Sequence, residues 1–405
     1  MSLLDKASLI VTPNGFKASK LYSVVPSDGS GDLDVTRATT ATRVNSLGLI
    51  ESVANNVPRL DYTNGSCPSL LVEPQRTNNI LYSEQFDNAT WFSLNVTVTA
   101  NNAISPDGTQ NADKIDYTNN NNYLIGTASP NTQNTAYTIS CYAKKGTTDI
   151  FVFREAFYFG STAKFNLTNG TIVTDSTGTA KITSVGNGWY RCSITQAYTS
   201  GQTNMQWSYD SYFNTGNLYL WGAQIEAGAY TTSYIPTTTA SVTRNADVIS
   251  KTGITSLIGQ TEGTIFVEEV YDASIANNGG LDDTLVSLTD GTSSNLISIF
   301  HYGLGIGNVL FFIRLSGATQ VAISTSTPTS GTYKIALAYK NNDVVAYING
   351  VQIGTDTSAT IPATSAITLV DPITTNAATK TVKRKNVSVW KTRLTNAELA
   401  TLTTL

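Results

Sequence analysis

A single histidine and three cysteines in 405 residues leave little room for several kinds of chemistry. Any Ser-His-Asp or Cys-His catalytic arrangement would have to use His301, and no G-x-S-x-G elbow surrounds a serine. One His with Cys67, Cys141 and Cys192 gives no zinc-ligand spacing. The cysteines are too few for a disulfide scaffold, and Cys141 and Cys192 sit in apolar strand patterns that predict buried thiols. Charge is scarce as well, at 13% of residues against about 25% in an average soluble protein. The net charge of −4 gives no broad attraction to nucleic acid or to anionic membrane. No apolar run approaches the ~20 residues of a membrane span, so no membrane insertion is expected. Phosphate-binding G-x-x-x-x-G-K-[ST] loops are missing. The first residues, MSLLDKASLIV, have no cationic region before a long apolar run and are not expected to act as a signal peptide.

Threonine, asparagine, serine and glycine supply the polarity instead. Threonine favours strands, and asparagine and glycine favour turns, so the composition predicts an all-β protein. Period-two apolar runs occur at Tyr137 to Lys144, Ile150 to Arg154, Ala163 to Leu167, Trp189 to Thr195, Met205 to Tyr209 and Leu218 to Ile225. A second series covers Gly263 to Val270, Thr284 to Leu288, Leu296 to His301, Val309 to Leu315 and Val321 to Ser324. Short alternating strands separated by turn residues predict sandwiches. Tyr333 to Tyr339 and Val344 to Ile348 read as a hairpin turned by Asn341 to Asp343. Asn349-Gly350 is a type I′ turn signal. Val387 to Trp390 is a last strand, and Thr395 with Glu398 is a capping box opening a terminal helix. The basic run Lys380 to Lys385 reads as a solvated strand edge.

The predicted organisation is an extended N-terminal arm, residues 1–80, followed by two tandem β-sandwich (jelly-roll) domains at 81–236 and 260–405. An ordered connector spans 237–259, fixed at its start by Pro236. Residues 1–80 are broken by Pro13-Asn14-Gly15 and by the turn-rich Ser27 to Asp32. They are therefore expected to dock the protein to a larger assembly or to knit protomers together. On that reading, deleting them leaves two folded sandwiches. The polar strips carry Arg37, Arg43, Arg76 and Arg244, expected to make assembly contacts by donating to carbonyls and carboxylates.

Glycan binding would need exposed aromatic faces, and MQWSYDSYF offers Trp207, Tyr209, Tyr212 and Phe213. A glycosidase would need two carboxylates facing each other across a cleft. In VEEVYDA, Glu268 and Glu269 are adjacent and point to opposite faces, and Glu269 and Asp272 are an odd number apart. No catalytic residue is therefore expected, and no cofactor apart from Ca²⁺.

The pattern of the YING hairpin, a strand and the TNAEL helix resembles laminin-G-like, concanavalin A-like modules over roughly residues 260–400. In such modules Ca²⁺ sits at one sandwich edge, which here implies Asp282, Asp283 and Asp290. The middle region, marked by FDNATW, GNGWYRC and YLWGAQIEAGAYTTSYIPT, resembles carbohydrate-binding-module sandwiches. The phrases SLLVEPQRTNNILYSEQFDNATW and TTSYIPTTTASVTRNADV resemble segments of structural proteins of tailed bacteriophages. That resemblance implies a fibre or appendage of tail or head on the virion exterior. It implies other virion proteins as partners, homo-oligomers with trimers favoured, and contact with host-surface glycan. The competing readings are a secreted bacterial carbohydrate-binding adhesin, a capsid decoration protein and a glycan-degrading tailspike.

Overall fold

In the computed structural model the described residues are 2–63, 65–118, 123–128, 135–155, 162–197, 205–210, 215–273, 275, 283–302, 308–326, 329–372 and 380–405. They are nearly all β, in large sheets. The chain forms two compact units, and their boundaries differ from those the sequence suggests. The first comprises Met1–Ser46, Val53–Gln75 and Asn245–Leu405, and the second Leu47–Ser52 and Arg76–Arg244. Residues 1–80 are thus not a separate arm. The second unit is inserted into the chain of the first.

The first unit is a 16-stranded sheet in which strands from the two ends of the sequence lie side by side. Leu9–Lys17 pairs with Val382–Trp390, setting Leu9 opposite Val389 and Val11 opposite Val387. Lys20–Val25 and Leu33–Thr36 follow, and Val248–Thr252 then pairs with Leu33–Thr36. Leu9, Val11, Leu21, Leu33 and Val35 are buried in the same core cluster as Ile249, Ile265, Ile297, Phe311, Ile335 and Val389. One apolar face shared by residues so far apart along the path requires the sheet to roll onto itself as a sandwich. The two ends of the path meet where Gly354 lies against Ile323, whose Cγ2 is 2.8 Å from where a Cβ would stand.

The basic run Lys380 to Lys385 opens an interior strand, not an edge. Val382–Trp390 is bonded to Glu262–Tyr271 on one side and to Leu9–Lys17 and Ser69–Val72 on the other. Alternation then sorts its charges. Arg384 is turned inward and donates to the carbonyls of Leu285 (2.7 Å), Thr284 (2.5 Å) and Leu369 (2.7 Å). Lys383 reaches Asp61 at 2.9 Å. Burial alone would raise the Asp61 carboxyl, but the Lys383 charge and hydrogen bonds outweigh it and hold Asp61 below its ordinary range.

The hairpins form as their turn residues dictate. Ala338 lies opposite Val345, and Ile348 lies opposite Val351 across Asn349 and Gly350, with φ of 47° and 82°. Thr395 caps the helix Asn396–Thr403 in a full capping box with Glu398. Leu399 of that helix packs with Trp390 and Leu394.

The second unit is a sandwich of two six-stranded sheets. One contributes Ile115, Ile139, Cys141, Cys192, Ile194, Leu218 and Ile225 to the core, and the other Leu124, Phe151, Phe153, Phe165 and Tyr209. Cys141 and Cys192 lie directly opposite each other on neighbouring strands, unbonded and fully buried. Burial raises both thiols above their ordinary pKa. The segments that enter and leave the unit, Arg76–Asn78 and Val242–Arg244, pair antiparallel.

Candidate functional site

A cleft of about 350 Å³ opens in the second unit. Its floor is apolar and its rim is polar. Ile80, Leu81, Trp91 and Gly126 supply the floor, and Asn79, Thr90 and Ser241 the rim. The turn-rich stretch from Tyr82 brings Trp91 into place. Its Nε1 donates to the Tyr82 carbonyl at 3.1 Å, and its ring packs on Phe86 (centroids 4.6 Å apart) and edge-on to Tyr209 (5.2 Å). Gly126 is obligatory where it stands. A Cβ there would lie 2.6 Å from Trp91 Cζ3 and 2.7 Å from Ile80 Cδ1. The rim residues come from three separate segments. Thr90 is exposed and bonded to Asn88 Oδ1, and Ser241 is exposed just before the exit strand. No titratable or ionic side chain lines the cleft among the described residues.

Of the four aromatic residues expected to hold glycan, Tyr209 alone has a described side chain, and it does not line the cleft. Tyr209 is fully buried among Phe86, Trp91, Phe151 and Phe153, so it is a core residue with no face for a sugar. Strand parity explains this. Tyr209 lies opposite both Leu124 and Phe153, which point into the core. Trp207 is placed by its backbone opposite Gly126 and Glu155, and its side chain lies outside the described residues. Tyr212 and Phe213 also fall outside them. Sequence reasoning missed Trp91 and Gly126 as cleft residues. The FDNATW phrase carries the tryptophan, but a glycine thirty-five positions on is matched to it only by folding.

The contacts described for the four arginines are with residues of their own units. Arg37 is buried and donates to the carbonyls of Thr39 (3.0 Å), Ala54 (2.7 Å) and Val57 (3.2 Å), and to Asp247. Asp247 also pairs with Arg59, which the sequence reading did not single out, and Arg59 pairs with Glu73 at 2.6 Å. Burial disfavours the charged Arg59, yet Asp247 and Glu73 hold its pKa above the ordinary value. Burial lowers that of Arg37, with Asp247 opposing and Arg59 adding to the effect. Arg43 is half-buried, 5.8 Å from the Phe16 ring centroid.

In the second unit, Arg244 is buried and donates to Thr232 Oγ1, Ser233 Oγ and the Ser233 carbonyl. Arg76 lies 3.7 Å from Glu226 and over the Tyr230 ring. Glu226 in turn accepts from Gln224 Nε2 (2.6 Å), Thr232 N (2.9 Å) and Thr232 Oγ1 (2.6 Å). These bonds fix the strip after Gly228 as ordered chain. Arg37 and Arg244, each 1% exposed, are inaccessible to a second protomer.

Of the three acidic residues implied for Ca²⁺, only Asp290 has a described side chain. Asp290 is exposed and accepts from Thr292 N, Thr292 Oγ1 and Asn295 Nδ2. Its slight burial would raise its carboxyl, but these bonds outweigh that and lower it. The Asp283 side chain and Asp282 lie outside the described residues. No group of three or more His, Cys, Asp or Glu side chains suited to a metal occurs among the described residues.

Glu268 and Glu269 point to opposite faces, the first half-buried and the second buried. Glu269 turns inward and meets His301, whose Nε2 lies 3.0 and 3.1 Å from the two carboxylate oxygens. The ring of Tyr271 lies 4.7 Å from that of His301. This buried pair joins residues 32 positions apart, and no local spacing announces it.

Over 36% of its length the chain is similar to the IT-sialidase CBM40 of Ruminococcus gnavus bound to α2,3-sialyllactose, at 18% identity, 84% coverage of that chain and a TM-score of 0.30. Over 38% it is similar to the NanB sialidase of Streptococcus pneumoniae, at 15% identity and a TM-score of 0.30, spanning 26% of that chain. A native heptameric SAP-like pentraxin from Limulus polyphemus matches 35% of the chain at 15% identity, with 69% of the pentraxin covered and a TM-score of 0.26. No protein-family model and no curated protein matches the chain.

Proposed function

We propose that the protein is a non-catalytic structural component of a tailed-phage particle, carried on the virion exterior, that contacts host-surface glycan through the cleft of its inserted sandwich. The cleft is the observation that carries the glycan reading. Its apolar floor suits the C–H face of a sugar ring, and Asn79, Thr90 and Ser241 are placed to bond hydroxyls at its mouth. The volume lies at the low end of the ~300–1,000 Å³ range of ligand pockets. A ligand of one or two rings fits it.

Among the described residues no carboxylate lines the cleft, which supports binding without hydrolysis, because glycoside cleavage needs two of them flanking the bond. The virion reading rests on the phrases SLLVEPQRTNNILYSEQFDNATW and TTSYIPTTTASVTRNADV. They cover the entry and exit of the inserted unit, which is a natural place for a shared module to begin and end. Homotrimers and contacts with other virion proteins belong to the same reading.

Two measurements test it. Labelled protein should bind an array of bacterial surface glycans and release no new reducing ends from them. Antibody labelling of phage particles in electron micrographs should mark an external appendage at a fixed copy number. Particles bearing no label, or cleavage of the bound glycan, would each overturn the corresponding part.

A further inference from the structure

We infer that the cleft selects neutral sugars and rejects acidic ones; this rests on the glycan reading above. The rim groups Asn79, Thr90 and Ser241 offer amide and hydroxyl groups, with Thr90 Oγ1 donating to Asn88 Oδ1 and left to accept, and none carries charge. None of the Lys or Arg side chains of the second unit lines the cleft. Several are committed elsewhere. Arg76 lies against Glu226 and Tyr230, Arg244 is bonded to Thr232 and Ser233, and Arg191 donates to the Thr232 carbonyl and Ser140. Lys114 is paired with Asp116 at 3.0 Å, and Lys145 donates to Thr168.

The physical consequence is a sign of selectivity. A sugar carboxylate entering this cleft would leave water without gaining a cation or a charge-assisted hydrogen bond. A neutral ring loses only hydroxyl–water bonds, and the rim can replace these. Trp91 reinforces the preference for a small ring. Its ring is packed against Phe86, Tyr209 and Gly126, and it is only 5% exposed, so little of it is open to a ligand. A surface that small meets one ring, and a long chain stacked flat finds no platform on it.

The test is calorimetric titration of the full chain with a panel of neutral disaccharides (lactose, maltose and N,N′-diacetylchitobiose) and with 3′-sialyllactose, the acidic derivative of lactose. At least one neutral sugar should bind about tenfold or more tightly than 3′-sialyllactose. The rim variants Ser241→Trp and Thr90→Trp, each at an exposed position, should abolish that binding with the melting temperature unchanged. Thr90→Lys should narrow the gap by giving the acidic sugar a partner. Equal or tighter binding of 3′-sialyllactose by the unaltered chain overturns the selectivity and leaves the glycan reading standing. Silence of the whole panel overturns both. Neutral binding that survives both tryptophan variants places the site elsewhere and overturns the inference.

Discussion

Asp247 accepts a hydrogen bond from Arg37 across 210 positions of sequence, Nη1 to Oδ1 at 2.9 Å, with both side chains shut away from solvent. Arg59 bonds the other oxygen of the same carboxylate, and the Glu73 amide donates to it as well. One carboxylate thus ties together three stretches of the first unit. Removing it leaves two buried guanidinium groups short of counter-charge, a change that costs about 3–5 kcal/mol at comparable sites. Asp247→Ala should lower the unfolding free energy of the first unit by that order, read as a lower urea midpoint, and leave the second unit's transition in place. Coincident loss of both transitions would show that the units do not unfold independently.

Deletion of residues 1–36 should unfold the first unit. Those residues supply three neighbouring strands from the middle of its sheet, along with Leu9, Leu21 and Leu33 of its core. Limited proteolysis of the truncated protein should degrade 245–405 and leave a resistant fragment covering 76–244. A resistant C-terminal fragment would mean that the remaining strands close without them.

Gly126→Val tests the cleft floor. The added Cβ falls within 2.8 Å of Trp91 and Ile80, and both are packed too tightly to move freely. Overpacking of this kind costs about 1–3 kcal/mol. Thermal unfolding should show the loss, and sugar binding should fall with it. By contrast Ser241→Ala, on the exposed rim, should leave stability within about 0.5 kcal/mol.

Asp113 gives the second unit a pH dependence. Burial raises its carboxyl to about 6, helped by the charge of Asp87 and opposed by hydrogen bonds from Asn101 and Phe86. The folded protein therefore holds this proton more tightly than the unfolded chain does. The resulting stability is complete below about pH 4 and is lost as pH rises through about 6. The span of about two pKa units corresponds to about 3 kcal/mol at most. Stability measured from pH 4 to pH 7 should decline in the unaltered protein, and Asp113→Asn should flatten that slope. A slope unchanged by the substitution would assign it to other groups.

Local signals in the chain read through to the structure. Asn349-Gly350 turns its hairpin, Thr395 and Glu398 form their capping box, and the alternating runs of both sandwiches become strands. What the sequence concealed was pairing between distant segments. Leu9 to Val11 is a plausible strand alone, but nothing near it names Val387 to Val389 as its partner. The run Lys380 to Lys385 looked solvated because its composition is basic. Its position between two other strands buries Arg384, and backbone carbonyls receive that charge. At the candidate site the same limit applied to Tyr209. Alternation shows that a strand has two faces, but the partners Leu124 and Phe153 decide which face is the core.

The pairing of Leu9–Lys17 with Val382–Trp390 also decides how the molecule answers to force. The strands run antiparallel with Leu9 opposite Val389, so a pull between residue 1 and residue 405 bears on one end of this ladder. Its hydrogen bonds would open one after another, as a zipper does, not rupture together in shear. Two clasps meet the load first: Trp390 Nε1 donating to the Leu3 carbonyl at 2.8 Å, and Lys6 paired with Glu398 at 2.6 Å. The chain of the inserted sandwich enters and leaves through paired strands of its own, Arg76–Asn78 and Val242–Arg244, which hold it closed while the ladder opens. Stretching single molecules should therefore extend the first unit at low force while the cleft keeps its shape.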